Sequence, residues 1–335
     1  MTPPDTGRTR TTPPADLAAA ADAAAVTADA PPYPEIADYA AIGNCRALAL
    51  VSREGSIDWL CLPHFSSPSV FAAMLDRERG GRFMVRPRGR YDVERGYLPG
   101  TNVLRTVFHC AEGRLELTDF LALPPEHEAG ALRAQHELVR VVECTAGRVD
   151  YEVSYAPRPD YARRVPALNR RGRLGWICTH RGQVYALQSE IDLQQDGAGT
   201  LRGRGRLACG ERHRLLFGFC ENDVAVFAPL ASRVDGALDC TVRWWRAWAA
   251  RCRYDGPYRD AVLRSALTLK LLTYGLSGAV IAAATTSLPE DDVGERNWDY
   301  RYCWLRDTSL TLQSFMELGY DGESRAFLGW LLHAT

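Results

Sequence analysis

Between residues 47 and 219 the sequence repeats one local pattern, two short apolar runs parted by a three-residue break that holds glycine. The breaks are Arg53-Glu54-Gly55, Ala111-Glu112-Gly113, Thr145-Ala146-Gly147, His180-Arg181-Gly182 and Cys209-Gly210-Glu211. Glycine reaches the left-handed backbone region that tight hairpin turns demand, so each break reads as a turn between two antiparallel strands. A parallel sheet would need a crossover of a dozen or more residues between strands, and there is no room for one. The pattern predicts an N-terminal antiparallel β-sandwich over 33–235.

The pattern then changes period. Residues 236–252 (GALDCTVRWWRAWAARC) predict a helix with Asp239 as its N-cap, within a linker over 236–256. Val242, Trp245 and Ala249 share one face. Trp244, Trp245 and Trp248 allow two readings, a platform for sugar rings or a buried packing face, and the helical spacing favours burial. Pro257 and Gly275 bracket a second helix. An irregular stretch follows over 276–304. A third helix is predicted from Asp307 to Leu318, stopped by Gly319, and a fourth from Ser324 to His333. Residues 257–335 thus form a helical third section.

Bulk properties narrow the function classes. The net charge of −1 argues against nucleic acid or an anionic membrane surface as partner, since both favour a basic excess. No apolar run approaches the ~18 residues of a membrane span. Residues 1–32 are rich in Ala, Pro and Thr, and Asp16, Asp22 and Asp29 interrupt the alanines, so this segment reads as a disordered leader without a secretory core. The ten cysteines are scattered, with no C-x-x-C pair and no histidine at zinc spacing. Reduced thiols in a cytoplasmic protein, with no metal and no cofactor, are the expectation. Oligomeric state is not encoded legibly.

The stretch 276–304 is too long for a simple connection and is dense in functional chemistry. Glu290, Asp291, Asp292, Glu295, Arg296, Asn297, Trp298, Asp299, Tyr300, Arg301, Tyr302 and Trp304 mix flat rings with carboxylates and guanidinium groups. A pyranose needs that mixture: its C–H face stacks on an aromatic, and its hydroxyls take charge-assisted hydrogen bonds, for which Arg306 and Asp307 are suited. The residues alone also allow a plain alternative. Asp307 stands where an N-cap belongs, with Arg306 as an ordinary surface charge.

The string ATTSLPEDDVGERNWDYRYCWLRDTSLTLQSFMELGY closely resembles the entry to the catalytic barrel of glycoside hydrolase family 15, the glucoamylase and bacterial trehalase group. A second string, IADYAAIGNCRALALVSREGSIDWLCLPHFSSPSVFAAML, resembles that family's amino-terminal β-sandwich. The resemblance implies a sandwich, a linker helix and the first helices of an (α/α)6 barrel, incomplete in 257–335. It implies an α-glucoside substrate (maltooligosaccharide, glucan or trehalose) and a subsite for the non-reducing glucose formed by Tyr300, Trp304, Arg306 and Asp307. Asn297, Trp298 and Asp299 would support the loop from behind.

The implied chemistry is inversion, with a carboxylic acid and a carboxylate about 6.5–9.5 Å apart. In the family both are glutamates from later in the barrel. Glu290, Glu295 and Glu317 occupy no equivalent position, so no catalytic residue is assigned, and the acid and base are expected beyond Thr335. The chain is therefore expected to be part of a longer hydrolase and inactive alone. The alternative from another class is a non-catalytic carbohydrate-binding or interaction protein built on the sandwich. Two departures from the family pattern stand in the front string: Asn44 replaces a common acidic residue, and Ser66 a frequent aspartate in the turn Phe65–Pro68.

Overall fold

A computed structural model describes residues 33–123, 136–197, 199–221, 230–291 and 294–334. The leader over 1–32 lies outside the described residues, and so does the segment 222–229. The chain from Pro34 onward folds as one unit.

The first part is antiparallel β throughout. Its strands are β1 (Tyr39–Gly43), β2 (Leu48–Ser52), β3 (Ser56–Cys61), β4 (Ser69–Phe71), β5 (Phe83–Pro87), β6 (Tyr91–Tyr97), β7 (Leu104–Cys110) and β8 (Gly113–Leu121). The long β9 (His136–Tyr155) follows, then β10 (Asn169–Arg170), β11 (Trp176–His180), β12 (Gln183–Ser189), β13 (Gln194–Gln195), β14 (Leu201–Ala208) and β15 (Arg212–Glu221). The start of β9 pairs with β8 and β15, and its end pairs with β5 and β14. It therefore belongs to two sheets, one running β1-β2-β3-β5-β9 and the other β9-β15-β12-β11-β10. One core joins them: Ile42, Val51 and Phe83 of the first sheet cluster with Phe108, Leu117 and Phe217 of the second. Phe71 on β4 meets Phe217 on β15 at 5.9 Å between ring centroids.

Three of the five glycine breaks are hairpins: β2–β3, β7–β8 and β11–β12. The other two are not, and the difference has a physical cause. Residues 145–147 lie inside β9, and 209–211 lie between β14 and β15, which both run alongside β9 rather than against each other. The two breaks face each other. Cys209 N–H donates to the Gly147 carbonyl (2.9 Å) and Gly210 N–H to the Cys144 carbonyl (2.8 Å). Here two neighbouring strands bend together and change sheets, the corner device of sandwiches whose strands serve both layers. Local sequence cannot separate this bend from a turn, because Gly55 and Gly182 in two of the hairpins and Gly147 and Gly210 in the bend all take positive φ. At Gly147 φ is +64° and an added Cβ would meet the Glu112 carbonyl oxygen at 2.0 Å. Gly147→Ala is expected to cost at least about 2 kcal/mol, left-handed strain plus a backbone overlap. Gly89→Ala, also at positive φ but with nothing within 4 Å of the new methyl, should cost only the strain. Urea unfolding of both variants checks the ordering, and equal losses would contradict it.

Four helices follow: α1 (Leu230–Ala249), α2 (Arg259–Leu271), α3 (Leu305–Glu317) and α4 (Asp321–Ala334). The start of α1 precedes the predicted 236, and Asp239 is exposed in mid-helix rather than capping. Val234 and Ala237 bury against Val103, Phe120, Val139, Val141 and Leu216, the outer face of the second sheet. That burial outweighs Gly236, which faces open solvent. It also explains why β9 begins with seven consecutive buried residues: both its faces are covered. Further along α1, Trp245 and Trp248 bury with Leu267, Leu271, Phe315 and Tyr320. Trp248 stacks on Tyr320 at 3.9 Å and donates to Glu323 (2.7 Å). The tryptophan cluster is core, not a sugar platform.

Candidate active site

The segment 276–304 is a folded arm of two legs. Backbone bridges join Ile281 to Cys303 and Thr286 to Asp299, and Ala283 N–H donates to the Tyr300 carbonyl (2.8 Å). The arm rests on the β part of the molecule: Trp59 Nε1 of β3 donates to the Ala284 carbonyl (2.7 Å). Tyr274, just before the arm, shares a 2.8 Å hydrogen bond with His64 Nδ1.

At the arm's end the four predicted sugar ligands come together. Tyr300 and Trp304 stack with ring centroids 5.8 Å apart and 22° between planes. The Arg306 guanidinium lies 5.8 Å from the Trp304 ring and donates to Asp307 Oδ2 (3.2 Å). The Arg306 and Asp307 side chains are 75% and 45% exposed. An exposed pair of this kind contributes about 0–1 kcal/mol to folding, so stability is a weak reason for it. The Tyr300 hydroxyl donates to Glu290, which raises the phenol's pKa above its ordinary value.

Asp307 is not the N-cap of α3. Trp304 holds that position, with extended backbone and no side-chain cap, because the helix begins two residues earlier than the sequence predicts. Asp307 lies in the first turn, where its charge meets the positive end of the helix dipole while the carboxylate stays open. Glu317 ends the same helix, ten residues and about 15 Å of helix rise from Asp307. That span exceeds the about 6.5–9.5 Å of an inverting pair.

Sequence reasoning missed Arg301. It is 5% exposed between two partly open tyrosines, and its guanidinium is saturated. Nε and Nη2 donate to Asp299 (2.9 and 2.8 Å), Nη2 to the Tyr161 hydroxyl (2.8 Å), and Nη1 to the Ser67 (2.7 Å) and Phe65 (3.3 Å) carbonyls. Burial alone would raise the Asp299 pKa, but the hydrogen bonds and charge of Arg301 outweigh it and hold the carboxyl below its ordinary range. Asp299 therefore supports the loop from behind. The turn Phe65–Pro68 reaches the arm through its carbonyls, while Ser66 is exposed. The Asp-x-Arg spacing inside the family-like string was the available signal for Arg301; Tyr161 sits in irregular chain and offered none.

Residues 28–187 match the family described as "Trehalase-like, N-terminal", and residues 256–335 match "Glycosyl hydrolases family 15". Together the two matches cover most of the chain and make it glycosyl hydrolase family 15-like. A trehalase of Mycolicibacterium smegmatis is 35% identical over 323 residues, covering 90% of this chain and 47% of the relative. One from Thermoplasma volcanium is 35% identical over 308 residues, with 88% and 47% covered. One from Mycobacterium tuberculosis is 35% identical over 329 residues, with 90% and 46% covered. The chain spans about half the length of these curated relatives. Both family matches supply parts of the site, the first through Trp59, Phe65, Ser67 and Tyr161, the second through the arm and α3. Among the described residues no cluster of His, Cys, Asp and Glu could hold a metal ion, and no helix is long and apolar enough to cross a membrane.

Proposed function

We propose that Tyr300, Trp304, Arg306 and Asp307 form the glucose-binding wall of an inverting α-glucoside hydrolase, with trehalose as the favoured substrate. The observation that carries this is an exposed Arg–Asp pair set beside two stacked rings on an arm anchored from behind. An arm held this firmly, with its ligand groups left open, is built to receive a sugar: the rings take the C–H face and the charged pair takes the hydroxyls. The names of the family's relatives favour trehalose over maltooligosaccharide or glucan. Residues 33–235 are read as the β-sandwich domain, 236–256 as the linker and 257–335 as the opening helices of an (α/α)6 barrel. No described carboxylate is assigned as general acid or base, so the chain alone is expected to bind glucosides without cleaving them. The same reading places the chain in a reducing, cytoplasmic setting, where its ten cysteines stay as thiols.

Titration calorimetry of the chain with trehalose and with maltose tests the reading. Asp307→Ala should weaken binding about tenfold or more, the loss of one charge-assisted hydrogen bond worth about 1.5–3 kcal/mol. Asp307→Asn should fall between the two, since an amide oxygen still accepts a bond without the charge. Unchanged affinity in Asp307→Ala would remove this residue from the site. Turnover of trehalose by the chain would show that an acid and base have been overlooked.

A further inference from the structure

We propose that Arg301 is the positioning residue of this site, the clamp through which the β part of the molecule sets the sugar-binding rings. The inference rests on the sugar-binding reading of Tyr300 and Trp304. Arg301 follows Tyr300 directly, and the carbonyls of Tyr300 and Tyr302 on either side of it are held by Ala283 N–H and Ala282 N–H. The side chain points the other way, into the β part, where Cys61, Phe65, Ser67 and Tyr161 receive it. Fixing the guanidinium therefore fixes the peptide planes that aim the Tyr300 ring at Trp304.

The receiving side is itself unusual. Asp160, Tyr161 and Ala162 take φ of 57°, 55° and 58°, three successive non-glycine residues in the left-handed region. Such strain persists only where surroundings over-determine it. Buried Asp160 is held by Arg181 (3.0 Å), and Ala162 N–H donates to the Arg158 carbonyl (3.1 Å). The product of this turn is a Tyr161 hydroxyl delivered to Arg301. A generic anchor would not need so costly a conformation, nor a planar fork with its donors all engaged. Lysine, a point charge with three donors, cannot reproduce that fork.

The experiment uses the whole chain labelled with 5-fluorotryptophan, whose eight tryptophans report separately, together with trehalose and maltose titrations. In Arg301→Lys the Trp298 and Trp304 resonances should move or broaden, while those of buried Trp245 and Trp248 stay in place. Trehalose affinity should drop about tenfold, and in Tyr161→Phe about two- to threefold. Wild-type sugar affinity with unmoved resonances in Arg301→Lys overturns the proposal. If the wild-type chain binds neither sugar, the binding reading fails, yet the resonances still decide: displaced arm tryptophans uphold the clamp and unmoved ones reject it. Should Arg301→Lys not fold, Tyr161→Phe carries the same decision.

Discussion

Replacing Arg140 by alanine is expected to remove about 3–5 kcal/mol of folding stability, the largest single loss anticipated in this chain. Arg140 and Asp119 are both fully buried, and they face each other across the β8–β9 pair. Nε and Nη2 donate to the two Asp119 oxygens (2.8 and 3.0 Å), and Nη2 also donates to the Gly55 carbonyl (2.8 Å). Nη1 reaches the Phe83 carbonyl, and the guanidinium lies 4.9 Å from the Phe83 ring. One side chain on the second sheet thus satisfies two backbone acceptors of the first. Truncation leaves a buried carboxylate without its cation and takes one donor from each of two buried carbonyls, of which Gly55 keeps the Val85 N–H (3.0 Å). The double variant Arg140→Met/Asp119→Leu removes the uncompensated charge but does not replace the donors taken from these carbonyls, so it should recover only part of the loss. Urea midpoints at unchanged slope give both values. A single variant within about 1 kcal/mol of wild type would disprove this account.

That pair also marks where sequence legibility ended. Alternating apolar runs and glycine breaks were enough to name antiparallel β, because those signals are local. Whether a glycine break closes a hairpin or bends a strand depends on which strand lies opposite, and only tertiary pairing supplies that, as Gly147 against Gly210 demonstrates. Helix α1 was placed late for the same reason, since its first turns are stabilised by the sheet they cover rather than by a cap. The candidate site divides similarly. The expectation for Tyr300, Trp304, Arg306 and Asp307 came from the family resemblance of one contiguous string, which local sequence is enough to carry. Arg301 was passed over because its partners other than Asp299 lie some 140 to 240 residues away in sequence.

Acidification should destabilise the fold by about 3 kcal/mol between pH 6.5 and pH 4 through His136 alone, a window set chiefly by the burial of that ring. His136 opens β9 and is 3% exposed. Burial, then the positive charges of Arg46 and His64, lower its pKa from the ordinary 6.5 to about 4, with the Pro63 carbonyl opposing weakly. The Asn44 amide has a fixed orientation, because its oxygen accepts from Arg46 N–H (3.2 Å) and Ala47 N–H (3.0 Å). Its NH2 group therefore faces His136 Nδ1 at 3.3 Å, so that nitrogen must accept and the ring is held neutral. Between pH 4 and 6.5 the unfolded chain binds the proton and the folded chain does not. Stability is thus complete above 6.5 and falls as pH drops toward 4. Asn44→Asp keeps the oxygen that caps 46 and 47 but turns a carboxylate oxygen toward the ring. An opposite charge at that range favours the imidazolium and should raise the His136 pKa by about 1–3 units. The acid loss would shrink accordingly. Histidine-resolved NMR titration and urea unfolding at pH 4.5 and 7 measure the two effects, and an Asn44→Asp protein whose His136 still titrates near 4 would show that the amide does not hold the ring neutral.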